Sequence, residues 1–145
     1  MNRKLSDELL ELLILKGVLN NKEYLTLLMN SFESQFFDNP TYKEMYETII
    51  VHYKENRTLM DPLLIKDMID CKTVFEEIDT DDFDIEENHD FLIKETNAYL
   101  KEKAIKQAIL DSVAIIDSNK NIGDIRESVE SALAKDLTMD LGTDY

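Results

Sequence analysis

HDFLIKETNAYLKEKAIKQAIL, residues 89–110, runs for 22 positions without a glycine or a proline. Nothing in it breaks a helix, yet its apolar residues do not keep to one side. Extended at both ends, the helix is expected from Asn88 to about Asp117, roughly 45 Å at 1.5 Å per residue. On a helical wheel Leu92, Ile93, Thr96, Leu100, Ala104 and Ala108 fall along one arc, while Phe91, Ala98, Ile105, Ile109, Val113 and Ile116 occupy another. A turn in SNKNIGD (118–124) is expected to lead into a returning helix, IRESVESALAKDL (125–137), with Ile125, Val129, Ala132 and Leu133 inward. The shorter helix can cover only one arc. An apolar stripe of that length exceeds what a soluble monomer tolerates, so the second arc predicts self-association or a missing partner. The alternative is that the residues before it fold back over the stripe.

Those earlier residues also read as helices. Ser6 caps DELLELLILK, which is expected to stop at Gly17, and Asn20 with Glu23 forms a capping box for KEYLTLLMNS. Asn39 and Pro40 open a helix with Tyr42, Met45, Tyr46, Ile49 and Tyr53 on one face. Asp61 and Pro62 open DPLLIKDMID, whose expected buried stripe is Leu64, Ile65, Met68 and Ile69. TVFEEI is one more short helix. The acidic stretch from Asp79 to Asp90 then reads as a solvated loop or hinge. The expected fold is all-α: a small helical head over 1–87, a long helical hairpin for self-association over 88–135, and the start of a linker over 136–145.

Composition narrows the function. Against 31 acidic residues stand 16 basic ones, and the formal charge of −15 opposes contact with nucleic acid phosphates. One cysteine, Cys71, excludes an internal disulfide and suits a reducing, cytoplasmic setting. The apolar run from Leu9 to Leu15 contains Glu11 and is too short for a bilayer, so no membrane is expected as a partner.

Chemistry is hard to place. An EF-hand register beginning at Asp82 puts Glu87 where glycine is needed and Ile93 where a carboxylate is needed. One beginning at Asp117 meets Gly123 a position late and ends on Ser128. His52, His89 and Cys71 cannot complete a zinc site, and neither histidine lies in a nucleophile motif. The three glycines, at 17, 123 and 142, form no phosphate-cradling loop. No catalytic, cofactor or metal residue is expected in this chain.

Two segments carry a resemblance. FFDNPTYKEMYETIIVHYKENRTLMDPLLIKDMI (36–69) resembles the head of DnaB-like replicative helicases, with Phe36 and Phe37, then Met45, Tyr46 and Ile49, then Asp61 and Leu64 at the matching positions. HDFLIKETNAYLKEKAIKQAI (89–109) is similar to the equivalent part of the hexameric helicases of T-even-type bacteriophages, through Phe91, Leu92, Lys94, Glu95, Thr96 and Tyr99. IRESVESALA stands in the place of the returning helix, and the likeness spans Ser31 to Leu137. It implies an N-terminal domain that associates into a dimer or a hexameric collar and receives primase and a helicase loader. ATP, Mg and most DNA contact would belong to a motor domain beyond Tyr145, with KDLTMDLGTDY beginning the linker. The setting implied is the cytoplasm, that of a bacterial host if the protein is phage-encoded. A second class remains open, a free-standing acidic helical adaptor or DNA-mimic regulator, on the strength of the charge.

Overall fold

Local capping chemistry sets the helix starts. In the computed structural model, which describes residues 4–117, 127 and 129–132 and only the backbone of 115–117, α1 spans Asp7–Asn20 and α2 spans Lys22–Met29. A 3-10 turn at Ser34–Phe36 precedes α3, Pro40–Asn56; then come α4, Pro62–Met68, α5, Lys72–Thr80, and α6, His89–Asp117. The chain is all-α. Ser6 accepts a hydrogen bond from the Leu9 amide, Asn39 from Thr41 and Tyr42, and Asp61 from Leu63. Each satisfies amides that a helix start leaves without a partner.

The expected stop at Gly17 is corrected. α1 continues through it to Asn20, and the cap of α2 is Asn21, whose Oδ1 accepts the Tyr24 amide at 2.8 Å. Gly17 serves close packing instead: a Cβ there would lie 2.6 Å from the Tyr24 ring. Glycine at a helix end and glycine under an aromatic ring look alike in one dimension.

α1 is the axle of the molecule. Every residue from Leu10 to Leu19 except Lys16 is buried, and α2, α3, α5 and α6 all pack on it. A helix apolar all round requires such a jacket. From α3 the predicted face, Tyr42, Met45, Tyr46, Ile49 and Tyr53, is buried as expected. Phe32 lies between Phe36, Phe37 and Tyr46, with ring centroids 5.3–5.7 Å away in edge-on contacts, and stacks on Tyr99 of α6 at 6.3 Å. Such aromatic geometry contributes about 0.5–1.5 kcal/mol per pair beyond area burial.

The stripe expected on α4 is half wrong. Ile65 and Ile69 are buried, but Leu64 and Met68 are exposed. A seven-residue helix lying across α3 offers one row to the core, and its second row faces outward.

The acidic stretch is also more ordered than a solvated hinge. Its first two residues finish α5, Ile85 is buried, and Asp81 and Asp84 accept the Phe83 and Glu87 amides as local turn caps. Lys16 of α1 ties it down, its Nζ lying 2.6 Å from the Phe83 carbonyl and 3.1 Å from that of Asp81. Beyond it the long helix begins at His89, and its first half enters the core already built by α1 to α3. One apolar cluster extends from Leu10 to Ala132, so residues on both sides of position 87 share a core.

Candidate functional site

α6 is two helices in function joined without a break. All six residues of its expected inner arc, from Leu92 to Ala108, are buried. Polar tethers among them fix the register of the helix. Glu11 of α1, itself buried, accepts the Asp38 amide at 2.8 Å, the Asn39 amide at 3.3 Å and the Tyr99 hydroxyl. Glu95, also buried, accepts the amides of Lys4 and Leu5 at 2.8 and 2.9 Å, and Tyr24 shares a 2.6 Å hydrogen bond with Thr96. Lys103 reaches both oxygens of Asp38 at 2.8 Å. The buried members, Glu11, Glu95, Tyr24, Thr96 and Tyr99, leave the helix one seating, since a slip strands a buried polar group; the Lys103–Asp38 pair lies at the surface.

These bonds mark the phenols. Desolvation by burial, then the Glu11 carboxylate, holds Tyr99 far above the ordinary phenol value. Burial does the same for Tyr24, partly offset by its bond to Thr96, and for Tyr46, whose hydroxyl donates to the Phe32 carbonyl at 2.8 Å. All three stay neutral across the physiological range.

Past Leu100 the outer side of α6 changes character. Of the residues expected to associate, Phe91 is exposed, Ala98 and Ile105 are half-buried, and Ile109 and Val113 are 55% and 51% exposed. The side chain of Ile116 lies outside the described residues. Leu110, which belongs to neither expected arc, joins them at 56% exposure. Ile105, Ile109 and Leu110, with Glu102 and Lys106, line a shallow depression of about 410 Å³. The turn at 118–124 and the positions Ile125 and Leu133 also lie outside the described residues. Val129 packs on the core and Ala132 is buried beside Phe36, Ala104 and Ala108. Residues 129–132 therefore lie over the inner arc, and among the described residues none of them covers the outer strip.

Groups with catalytic potential are scattered. His52 is hydrogen-bonded within α3 to Asn56, His89 packs edge-on against Tyr24 at the start of α6, and Cys71 is buried ahead of α5 with its thiol pushed up by desolvation. A protonated, enclosed thiol is a poor nucleophile. Among the described residues no group of three His, Cys, Asp or Glu side chains could hold a metal ion, and no helix is long and apolar enough to cross a membrane.

No family model, no curated protein and no solved structure matches the chain. The outer strip of α6 is the candidate site on physical grounds alone.

Proposed function

We propose that this chain is the N-terminal collar domain of a DnaB-like replicative DNA helicase of the T-even bacteriophage type, working in the cytoplasm. In this reading it holds subunits together and presents a platform for primase or a helicase loader. The observation that carries it is the apolar strip Ile105, Ile109, Leu110 and Val113 on a helix whose opposite side is already buried. Water contact with that strip is unfavourable by about 25 cal/mol per Å², and a second copy of the same strip is the simplest cover. Support also comes from the sequence likeness over Ser31 to Leu137: of the residues that carry it, Phe36, Phe37, Met45, Tyr46, Ile49, Leu92, Glu95, Thr96 and Tyr99 are buried, while Asp61, Leu64, Phe91 and Lys94 are exposed. ATP and Mg would serve the motor domain of the parent; the glycines of this chain, at 17, 123 and 142, supply no phosphate loop for them.

Ile109→Glu is the clean test, because the side chain is exposed in the single subunit and a carboxylate there disturbs only an interface. Ile105→Glu is less clean, since Ile105 also touches the core. Light scattering on the unsubstituted chain is expected to show dimers or larger rings. Ile109→Glu should weaken them by about 3 kcal/mol, a factor of about 100, with unchanged helical circular dichroism. A monomer of 16.9 kDa at every concentration would overturn the reading in favour of a free-standing acidic adaptor.

A further inference from the structure

We infer that the head carries a separate docking groove, between α3 and α4, for a basic amphipathic helix of another protein. The groove, about 350 Å³, is built by the outward-facing row of α4 and the residue that leads into it. Met60, Leu64 and Met68, spaced four apart, form one wall. Val51 of α3 forms the other, with Glu47 and Glu55 one turn before and one turn after it. Met60 is buried, and the rest of the apolar lining is open to solvent: Val51 is 54% exposed, Leu64 48% and Met68 64%, and Leu63 beside them is more exposed still.

Three observations select the occupant. The lining holds two carboxylates and no lysine or arginine, so the complement is apolar with cationic flanks. A second copy is a poor fit. Two-fold pairing would bring Glu47 and Glu55 of one subunit against the same residues of the other, in a chain already at −15. The C-terminal residues 118–145 fit no better, with six acidic residues against three basic ones. An amphipathic helix with apolar residues at i, i+3 or i+4, and i+7, and Lys or Arg beside them, meets both the shape and the charge. Met68, the exposed methionine of the wall, suits a groove that adapts to its guest, because the thioether chain is unbranched and polarisable.

This groove does not depend on the collar reading, and its test leaves the α6 strip intact. The probe is a synthetic helical peptide of leucine and lysine, with leucines at the spacing above, added to the isotope-labelled full chain. Amide shifts are expected to concentrate in residues 47–55 and 60–68. Val51→Lys and Leu64→Lys, both at exposed helical positions that accept lysine, should each lower affinity at least tenfold. Ile109→Lys should leave it within twofold. A peptide with glutamates in place of the lysines should bind at least tenfold more weakly. Shifts spread over the acidic surface, equal loss with Ile109→Lys, or equal binding of the acidic peptide would overturn the proposal. So would a fall in oligomer mass with Val51→Lys, which would make a second copy the occupant.

Discussion

Glu11 shows how one residue can be misread by pattern and still organise a fold. In the run of leucines from Leu9 to Leu15 it looks like an interruption, yet it is buried and bonded by two amides and the Tyr99 hydroxyl. Tyr99, bonded to it, and the buried phenols of Tyr24 and Tyr46 make the fold lose stability at alkaline pH. Tyr24, Tyr46 and Tyr99 are raised in the folded chain above the ordinary 10.0. An unfolded chain therefore releases three protons that the folded chain retains, and Tyr42, raised first by burial and then by nearby carboxylates, adds to them. Their contribution is whole below about pH 10 and falls as pH rises beyond it, by about 1.4 kcal/mol per unit for each, or about 4 kcal/mol together. Against a typical total of about 5–15 kcal/mol, the chain is expected to unfold within a few units above pH 10. Tyrosinate absorbance from these residues should rise together with loss of helical dichroism. Smooth ionisation of all six tyrosines in an intact helical chain would show that the buried phenols are not enclosed as described.

Among the elements, α6 shows where periodicity succeeds and where it stops. Its start, its length and its inner arc follow from residue spacing alone, and all six inner residues are buried. The wheel cannot say which neighbour covers a face. On the outer side Glu95 is covered by the backbone of Lys4 and Leu5, whereas Ile109, about three turns beyond Ala98 in the strip, is open. A division of exchange behaviour follows. Amides of residues 92–104 should exchange only on global unfolding, at a rate independent of protein concentration. Amides of 105–114 should become more protected as concentration rises, because association covers their outer side. Hydrogen exchange by mass spectrometry at two concentrations resolves this, and concentration-independent protection along all of α6 would argue against the strip as an interface. α4 gives the opposite lesson: Leu64 and Met68 fit the pattern of a buried row, but the seven-residue helix buries only Ile65, with Ile69 at its C-cap.

For the whole molecule, charge and apolar surface pull against each other. Copies carrying −15 repel at long range, while the α6 strip attracts only on contact. Salt screens the first, over about 10 Å at 0.1 M, and leaves the second in place. Self-association through α6 should therefore strengthen as sodium chloride rises from 0.05 to about 0.5 M, measured by sedimentation. Weakening with salt would mean that ion pairs hold the contact, contrary to an apolar seam. Binding of a basic helix in the α3/α4 groove should show the reverse trend, and the two surfaces can be told apart in one titration series.

Helical class, cap positions such as Ser6, Asn39 and Asp61, the amphipathic face of α3 and the inner arc of α6 were all present in the order of residues. They depend on spacing along one chain and on hydrogen bonds within three positions, which the covalent sequence specifies directly. The roles of Gly17, Glu11, Tyr99, Leu64 and Met68 were decided only by tertiary structure. Each depends on which remote surface arrives beside it: the Tyr24 ring on Gly17, the Asp38 turn on Glu11, and, among the described residues, too little to bury Leu64 and Met68. Whether an apolar residue becomes core or contact surface is set by the neighbour that covers it, and that neighbour is chosen by the packing of the whole chain.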